Sequence, residues 1–225
     1  MKKYFCLFTV ICVLCFSACS KKLDLQGNEN SDFVYYHGAE YHSELFFCTD
    51  DDLKLMGHIE NGAYVYSVGT AAPPEFIEIV GSDNSGVFIR NGSKVPVSGT
   101  VTEVLIDPSV RGDNSKYLSQ PEELSVLSEL TKISGTVQKF TVHNYFTDGN
   151  AFYYVYDNSH VSCTENYGGY IAYTNGVWVF ASPESVEEWE WGDGNTVTIS
   201  GIIIEDEALI AKMCQTDIVK YISYT

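Results

Sequence analysis

Tyr170-Ile171-Ala172-Tyr173-Thr174-Asn175-Gly176-Val177-Trp178-Val179-Phe180 decides how the second half of this 225-residue chain is read. Two runs of aromatic and aliphatic residues flank an Asn-Gly dipeptide, the pair that best tolerates the positive φ angles of a two-residue hairpin turn. On the N-terminal side, Ala151-Phe152-Tyr153-Tyr154-Val155-Tyr156 follows the turn residues Asp148-Gly149-Asn150 and reads as a strand. Residues 132–142 read as a longer one, with Gly135 where strong coiling is tolerated. A weaker strand signal surrounds Cys163. On the C-terminal side, Ser182-Pro183-Glu184 predicts a short helix through Trp189, with Ser182 as cap and Pro183 at the first position. Gly192-Asp193-Gly194-Asn195 then returns the chain to a strand over 196–204, and one or two more strands are expected within 209–222.

Three strands, a short helix and two strands form an order that resembles the OB-fold. The resemblance rests on Ile133-Ser134-Gly135-Thr136-Val137 and on Gly194-Asn195-Thr196-Val197-Thr198-Ile199-Ser200-Gly201, and covers residues 131–225. It implies a five-strand, partly open Greek-key barrel whose middle strands bind oligonucleotides or oligosaccharides. Tyr153, Tyr154, Tyr156, Tyr170, Tyr173 and Trp178 are the aromatic residues available for such a surface; packing within the barrel is the other reading of each. Only Lys132, Lys139, Lys212 and Lys220 are basic here, so the positive charge that nucleic acid needs is missing. Glu184, Glu187, Glu188 and Glu190 with Trp189 and Trp191 read as a solvated helix with one tryptophan packed inward, or as a cation or sugar site.

Residues 33–106 predict a first module of short strands and explicit turns. Asn61-Gly62 turns into Ala63-Tyr64-Val65-Tyr66-Ser67-Val68, whose alternation puts Tyr64, Tyr66 and Val68 on one face and Ala63, Val65 and Ser67 on the other. Pro73-Pro74 forces a loop, and Asn91-Gly92 turns into a strand over 94–97 in which Pro96 belongs at an edge or bulge. Asp50-Asp51-Asp52 reads as a solvated turn, since consecutive carboxylates diverge rather than converge on a cation. Ile59-Glu60-Asn61-Gly62-Ala63-Tyr64-Val65-Tyr66 and Gly86-Val87-Phe88 resemble bacterial SH3-like domains, which implies a small barrel binding cell-wall peptides or acting as a spacer. The expected fold class is therefore all-β with short helices: two small barrels, SH3-like followed by OB-fold-like. Residues 107–130 read as a linker ending in a short helix. There Ser119 caps, Pro121 sits in the first turn, Glu122 closes the capping box, and Leu124, Leu127 and Leu130 face inward.

Thirty acidic residues against thirteen basic ones give a formal net charge of −17. Such a surface repels phosphate backbones and anionic headgroups, so nucleic acid is a poor partner. No Cys-x-x-Cys, P-loop, dinucleotide fingerprint or nucleophile elbow occurs, and no zinc spacing links His37, His42, His58, His143 and His160; no metal or other cofactor is expected.

Met1-Lys2-Lys3, an apolar run from Tyr4 to Phe16, and Leu14-Cys15-Phe16-Ser17-Ala18-Cys19 resemble the signal and lipobox of a bacterial lipoprotein, of the Bacteroidetes-type envelope proteins. The resemblance implies cleavage after residue 18, acylation of Cys19, and a lipidated, flexible tether over 19–32. Ser20 rather than aspartate resembles the outer-membrane sorting pattern, which implies a location at the outer membrane facing the periplasm, or on the outer surface. Cys48 reads as a small buried hydrophobe, and Cys163 and Cys214, in one module of an exported chain, are the expected disulfide. The functional expectation is a membrane-anchored, non-catalytic binding or scaffolding protein whose partner is an envelope protein, a glycan or a cell-wall peptide. The alternative is a hydrolase acting on a polysaccharide or peptide polymer.

Overall fold

A computed structural model describes residues 25–26, 33–43, 46–48, 53–59, 62–81, 86–106, 116–220 and 222. The leader expected over 1–18, Cys19 and the turn expected at Asp50-Asp51-Asp52 lie outside the described residues. The chain is all-β with short helices and divides into two compact units, residues 1–44 with 52–93, and residues 45–51 with 94–225.

The first unit contains β1 (Leu25–Gln26), β2 (Phe33–Tyr36) and β3 (Ala39–Ser43). After β4 (Phe46–Cys48), which belongs to the other unit, it continues with β5 (Lys54–His58), β6 (Tyr64–Val68), β7 (Phe76–Val80) and β8 (Gly86–Arg90). These seven strands form one curled antiparallel sheet in the order β1-β2-β3-β8-β7-β6-β5. β1 corrects the tether expectation: Leu25 and Gln26 pair with Tyr36 and Tyr35, so this part of 19–32 is strand. His37-Gly38, both at positive φ, make the tight β2–β3 turn. The alternation expected of β6 holds on its inner face, where Ala63 and Val65 are enclosed with Val34, Tyr41, Ile77, Ile79 and Phe88. Tyr41 donates its buried hydroxyl to the Pro74 carbonyl at 2.8 Å, and burial pushes its pKa up. Arg90 donates to the neighbouring Pro73 carbonyl at 3.3 Å, so both prolines of the expected loop are tied to the sheet.

The second unit begins earlier than residue 131, because residues 94–106, expected in the first module, and the residues expected as linker belong to it. Its elements are β9 (Val101–Ile106), β10 (Lys116–Leu118), α1 (Pro121–Leu130), β11 (Gln138–Val142), β12 (Gly149–Tyr156), β13 (Val161–Cys163) and β14 (Tyr167–Thr174). β15 (Val177–Ala181), β16 (Glu190–Trp191), β17 (Val197–Ile203) and α2 (Glu207–Cys214) complete it. The sheet runs β10-β9-β12-β14-β15-β17-β11, with β16 also paired to β17, and is wider than a five-strand barrel. The wider sheet follows from register: β9 lies along β12 from Phe152↔Ile106 to Tyr156↔Val101, and β10 folds back on β9. β4 pairs with β13, placing Cys48 opposite Val161.

Period-two alternation gives this sheet two separate cores. Phe152, Ile171 and Phe180 face Leu127 and Leu130 of α1 and Leu209 and Met213 of α2. On the opposite face Ala151, Tyr170, Ala172 and Val179 pack against Phe140, Val142, Val197 and Ile199, because β11 and β17 curl over that side. Asn175-Gly176 makes the expected β14–β15 hairpin, with positive φ at both residues and Thr174 opposite Val177.

Local expectations differ in four places. Gln120 rather than Ser119 caps α1, and Glu123 rather than Glu122 closes the cap by accepting the Gln120 N–H at 3.3 Å. Residues 94–97 form no strand, and the Pro96 carbonyl instead accepts from the Asn166 amide at 2.9 Å. Only Gln138–Val142 of the long strand signal over 132–142 joins the sheet. The one or two strands expected within 209–222 are instead α2 and the 3-10 helix Asp217–Val219; the Asp206 carboxylate accepts from the N–H groups of Ala208 and Leu209 and starts α2. Leu209 and Met213, four residues apart, then bury one face.

Leu127→Ala should lower stability by about 2–5 kcal/mol through a cavity under α1. Gly176→Val should cost roughly 1–3 kcal/mol, because a β-branched residue is strained at its φ of 79°. Urea unfolding of the full chain measures both as lowered midpoints.

Candidate functional site

The loop between β11 and β12 carries Tyr145 and is held by its own polar groups. Asn144 donates its backbone N–H to the Asp148 carboxylate at 3.0 Å, and Phe146 N–H donates to the Asn144 side chain at 3.1 Å. Tyr145 N–H reaches the Asn195 carbonyl at 2.9 Å, which ties the loop to the entry of β17. Underneath, Tyr170 of β14 is 0% exposed and donates its hydroxyl to the Tyr145 carbonyl at 2.7 Å. The two rings lie parallel, 4.7 Å apart with 3° between their planes. Gly149 makes room for this bond, since a Cβ there would overlap the Tyr170 hydroxyl.

A second wall comes from the segment joining β15 to β16. Pro183–Glu188 is a 3-10 helix with Ser182 at its N-cap, as Ser182-Pro183-Glu184 implies. Trp189 N–H closes it on the Val186 carbonyl at 3.1 Å. The chain then rejoins the sheet through Glu190↔Thr198 and Trp191↔Val197. The Trp189 ring packs edge-on to Tyr170 at 5.4 Å and to Tyr145 at 5.9 Å, while Trp191, 60% exposed, tilts against Tyr145 at 5.2 Å. Lys139 of β11 reaches Glu190 in an ion pair. The hydrogen bond and the opposite charge hold the Glu190 carboxyl below its ordinary value and the Lys139 ammonium above its own.

The third wall is Tyr153 of β12 with Tyr167 at the start of β14, rings 5.4 Å apart. The intervening 3-10 helix Thr164–Asn166 presents Thr164 and Glu165. With Pro183 and Val186 these walls enclose a cleft of about 450 Å³, within the usual range for small-ligand sites. The Trp189 indole nitrogen is buried beside it with no hydrogen-bond partner among the described residues.

The six aromatic residues expected to share a surface are divided between the two faces of the sheet. Tyr153 lines the cleft, and Tyr170 supports it from the core on the same face. Tyr154, Tyr173 and Trp178 pack with the opposite core, where Trp178 is buried against Tyr173 at 5.0 Å. Tyr156 is half-buried beside Tyr154. Neighbouring residues of a strand point to opposite sides, so Tyr153 and Tyr154 do not share a face. Of the Glu/Trp run, Glu184, Glu187, Glu188 and Glu190 are exposed, Trp189 packs against Tyr170, and Trp189 and Trp191 line the cleft. Tyr145, Tyr167 and Glu165 were missed: Tyr145 lies in a turn, and Tyr167 opens a strand that was expected to begin at Tyr170. The disulfide expectation is corrected as well: Cys163 is buried in β13, whereas Cys214 is an exposed free thiol at the end of α2.

A second hollow, about 540 Å³, lies between α1 and β9 over Tyr154. Burial there pushes the Tyr154 phenol up to about 12. Among the described residues no group of three or more His, Cys, Asp or Glu is placed to hold a metal ion. No protein-family model, curated protein or solved structure matches the chain.

Two titrations test these assignments. In carboxyl NMR, Glu190 should titrate below its ordinary range, and Lys139→Met should return it there. The pair's contribution is present above the ordinary glutamate pKa and is lost as pH falls through the lowered value. In ultraviolet absorbance, Tyr154→Phe should remove a phenol ionising near 12. Its neutral form favours the folded state, so that contribution is lost as pH rises from about 10 through about 12.

Proposed function

We propose that this chain is an envelope lipoprotein, anchored by acyl groups on Cys19, whose 94–225 unit is a non-catalytic binding module. The lipobox resemblance around Leu14–Cys19 supports export and anchoring at the outer membrane. Among the described residues no helix is long and apolar enough to cross a membrane. The SH3-like and OB-fold-like resemblances are kept as descriptions of small β modules that present surfaces to a partner, and fold alone does not choose that partner.

The observation that carries the binding reading is the aromatic cleft. Tyr145, Tyr153, Tyr167, Trp189 and Trp191 converge on one space beside Glu165, the single carboxylate among the described lining residues. Polysaccharide hydrolysis ordinarily uses two carboxyl groups flanking the scissile bond. The lining supplies one acid among five aromatic rings, a composition suited to holding a ligand.

Intact mass of the protein extracted from a bacterial membrane fraction tests the anchor. The expected species begins at Cys19 and carries fatty-acyl mass, and Cys19→Ala should leave the membrane fraction. An unacylated species still beginning at Met1 would contradict the proposal.

A further inference from the structure

We propose that the cleft between Tyr145, Tyr153 and Trp191 is a binding site for a neutral oligosaccharide; this rests on reading the 94–225 unit as a binding module. A pyranose ring has a face of C–H groups and a rim of hydroxyls. It therefore needs flat apolar surfaces with donors and acceptors at their edges. Trp191 supplies an accessible flat surface. Its backbone is paired to β17 and its ring rests on Tyr145, so its orientation is set before a ligand arrives. Tyr153 and Tyr167 supply rings on the facing wall.

The polar groups favour hydroxyls over charge. Exposed Glu165 and Thr164 offer acceptors, and the Trp189 indole N–H is a buried donor without an acceptor among the described residues. A sugar hydroxyl donates to the first and accepts from the second, directly or through a water carried in with it. A quaternary ammonium, the other ligand that aromatic rings hold well, has no acceptor to offer. Its head group is also far smaller than a cleft of about 450 Å³. Anionic polymers are disfavoured by the absence of any basic residue among the described lining residues and by the chain's net charge of −17.

The test is a glycan array carrying neutral gluco-, xylo-, manno- and galacto-oligosaccharides beside uronate and sulfated ones, followed by calorimetric titration of retained sugars. Choline and a lysine-rich peptide are titrated in parallel. Retention of a neutral oligosaccharide is expected, with Trp191→Ala weakening affinity by about tenfold or more and Glu165→Gln weakening it less. Trp191 is exposed, so its variant should keep the wild-type unfolding midpoint. If it does not, Val186→Arg at the cleft mouth gives the same reading by obstruction. Retention of no neutral glycan, affinity indifferent to these substitutions, or tighter binding of an anionic glycan, choline or the peptide would overturn the proposal. Choline or peptide binding lost in Trp191→Ala would leave the binding-module reading standing with a different ligand. Release of new reducing ends from a retained sugar would instead overturn the non-catalytic reading and leave the ligand class intact.

Discussion

One buried phenol organises the site. Tyr170 is enclosed on the curled face of the second sheet, and its hydroxyl finds its acceptor in the Tyr145 carbonyl of a surface loop. A buried hydroxyl without a partner costs about 1–3 kcal/mol, so the loop is drawn down onto the sheet and Tyr145 stacks on the ring below it. Trp189 packs against both tyrosines, and Trp191 rests on Tyr145. The cleft is thus an outward continuation of the core, its aromatic wall resting on β14.

The surroundings complement that wall. Thr196 donates its hydroxyl to the His143 carbonyl at 3.1 Å, and Tyr145 N–H reaches the Asn195 carbonyl, so the first half of the aromatic loop is pinned to the residues that lead into β17. The segment from Pro183 to Trp191 is secured differently. A proline-led 3-10 helix leaves β15, and β16 rejoins the edge of β17 with Glu190 tethered to Lys139. That ion pair is exposed, so its contribution to stability is small.

Much of the architecture was legible in the residues. Asn175-Gly176 specified a hairpin by its tolerance of positive φ, and alternation in Ala63–Val68 identified the inner face of β6. What was not legible depended on contacts far apart in sequence. β9 was assigned to the first module because its partner, β12, lies about fifty residues away. β4 sits between two strands of the first unit yet pairs with β13. α2 was read as strand because Ile210 and its apolar neighbours are equally compatible with both periods, and the Asp206 cap that decides between them was overlooked. The site suffered from the same limit. Aromatic residues of β12 and β14 were grouped by sequence proximity, although alternation sends them to two cores, and Tyr145 owes its place to Tyr170, twenty-five residues on.

The most direct test of this account is Tyr170→Phe, which keeps the ring and removes only the hydroxyl. The account predicts a folded protein by far-ultraviolet circular dichroism, with stability lowered by about 1–3 kcal/mol. The Tyr145 ring resonances should lose the upfield shifts that stacking on Tyr170 imposes, and tryptophan emission should change as the wall loosens. Unchanged stability together with unchanged Tyr145 resonances would show that the loop is held by something else, and would contradict the claim that this hydroxyl builds the cleft.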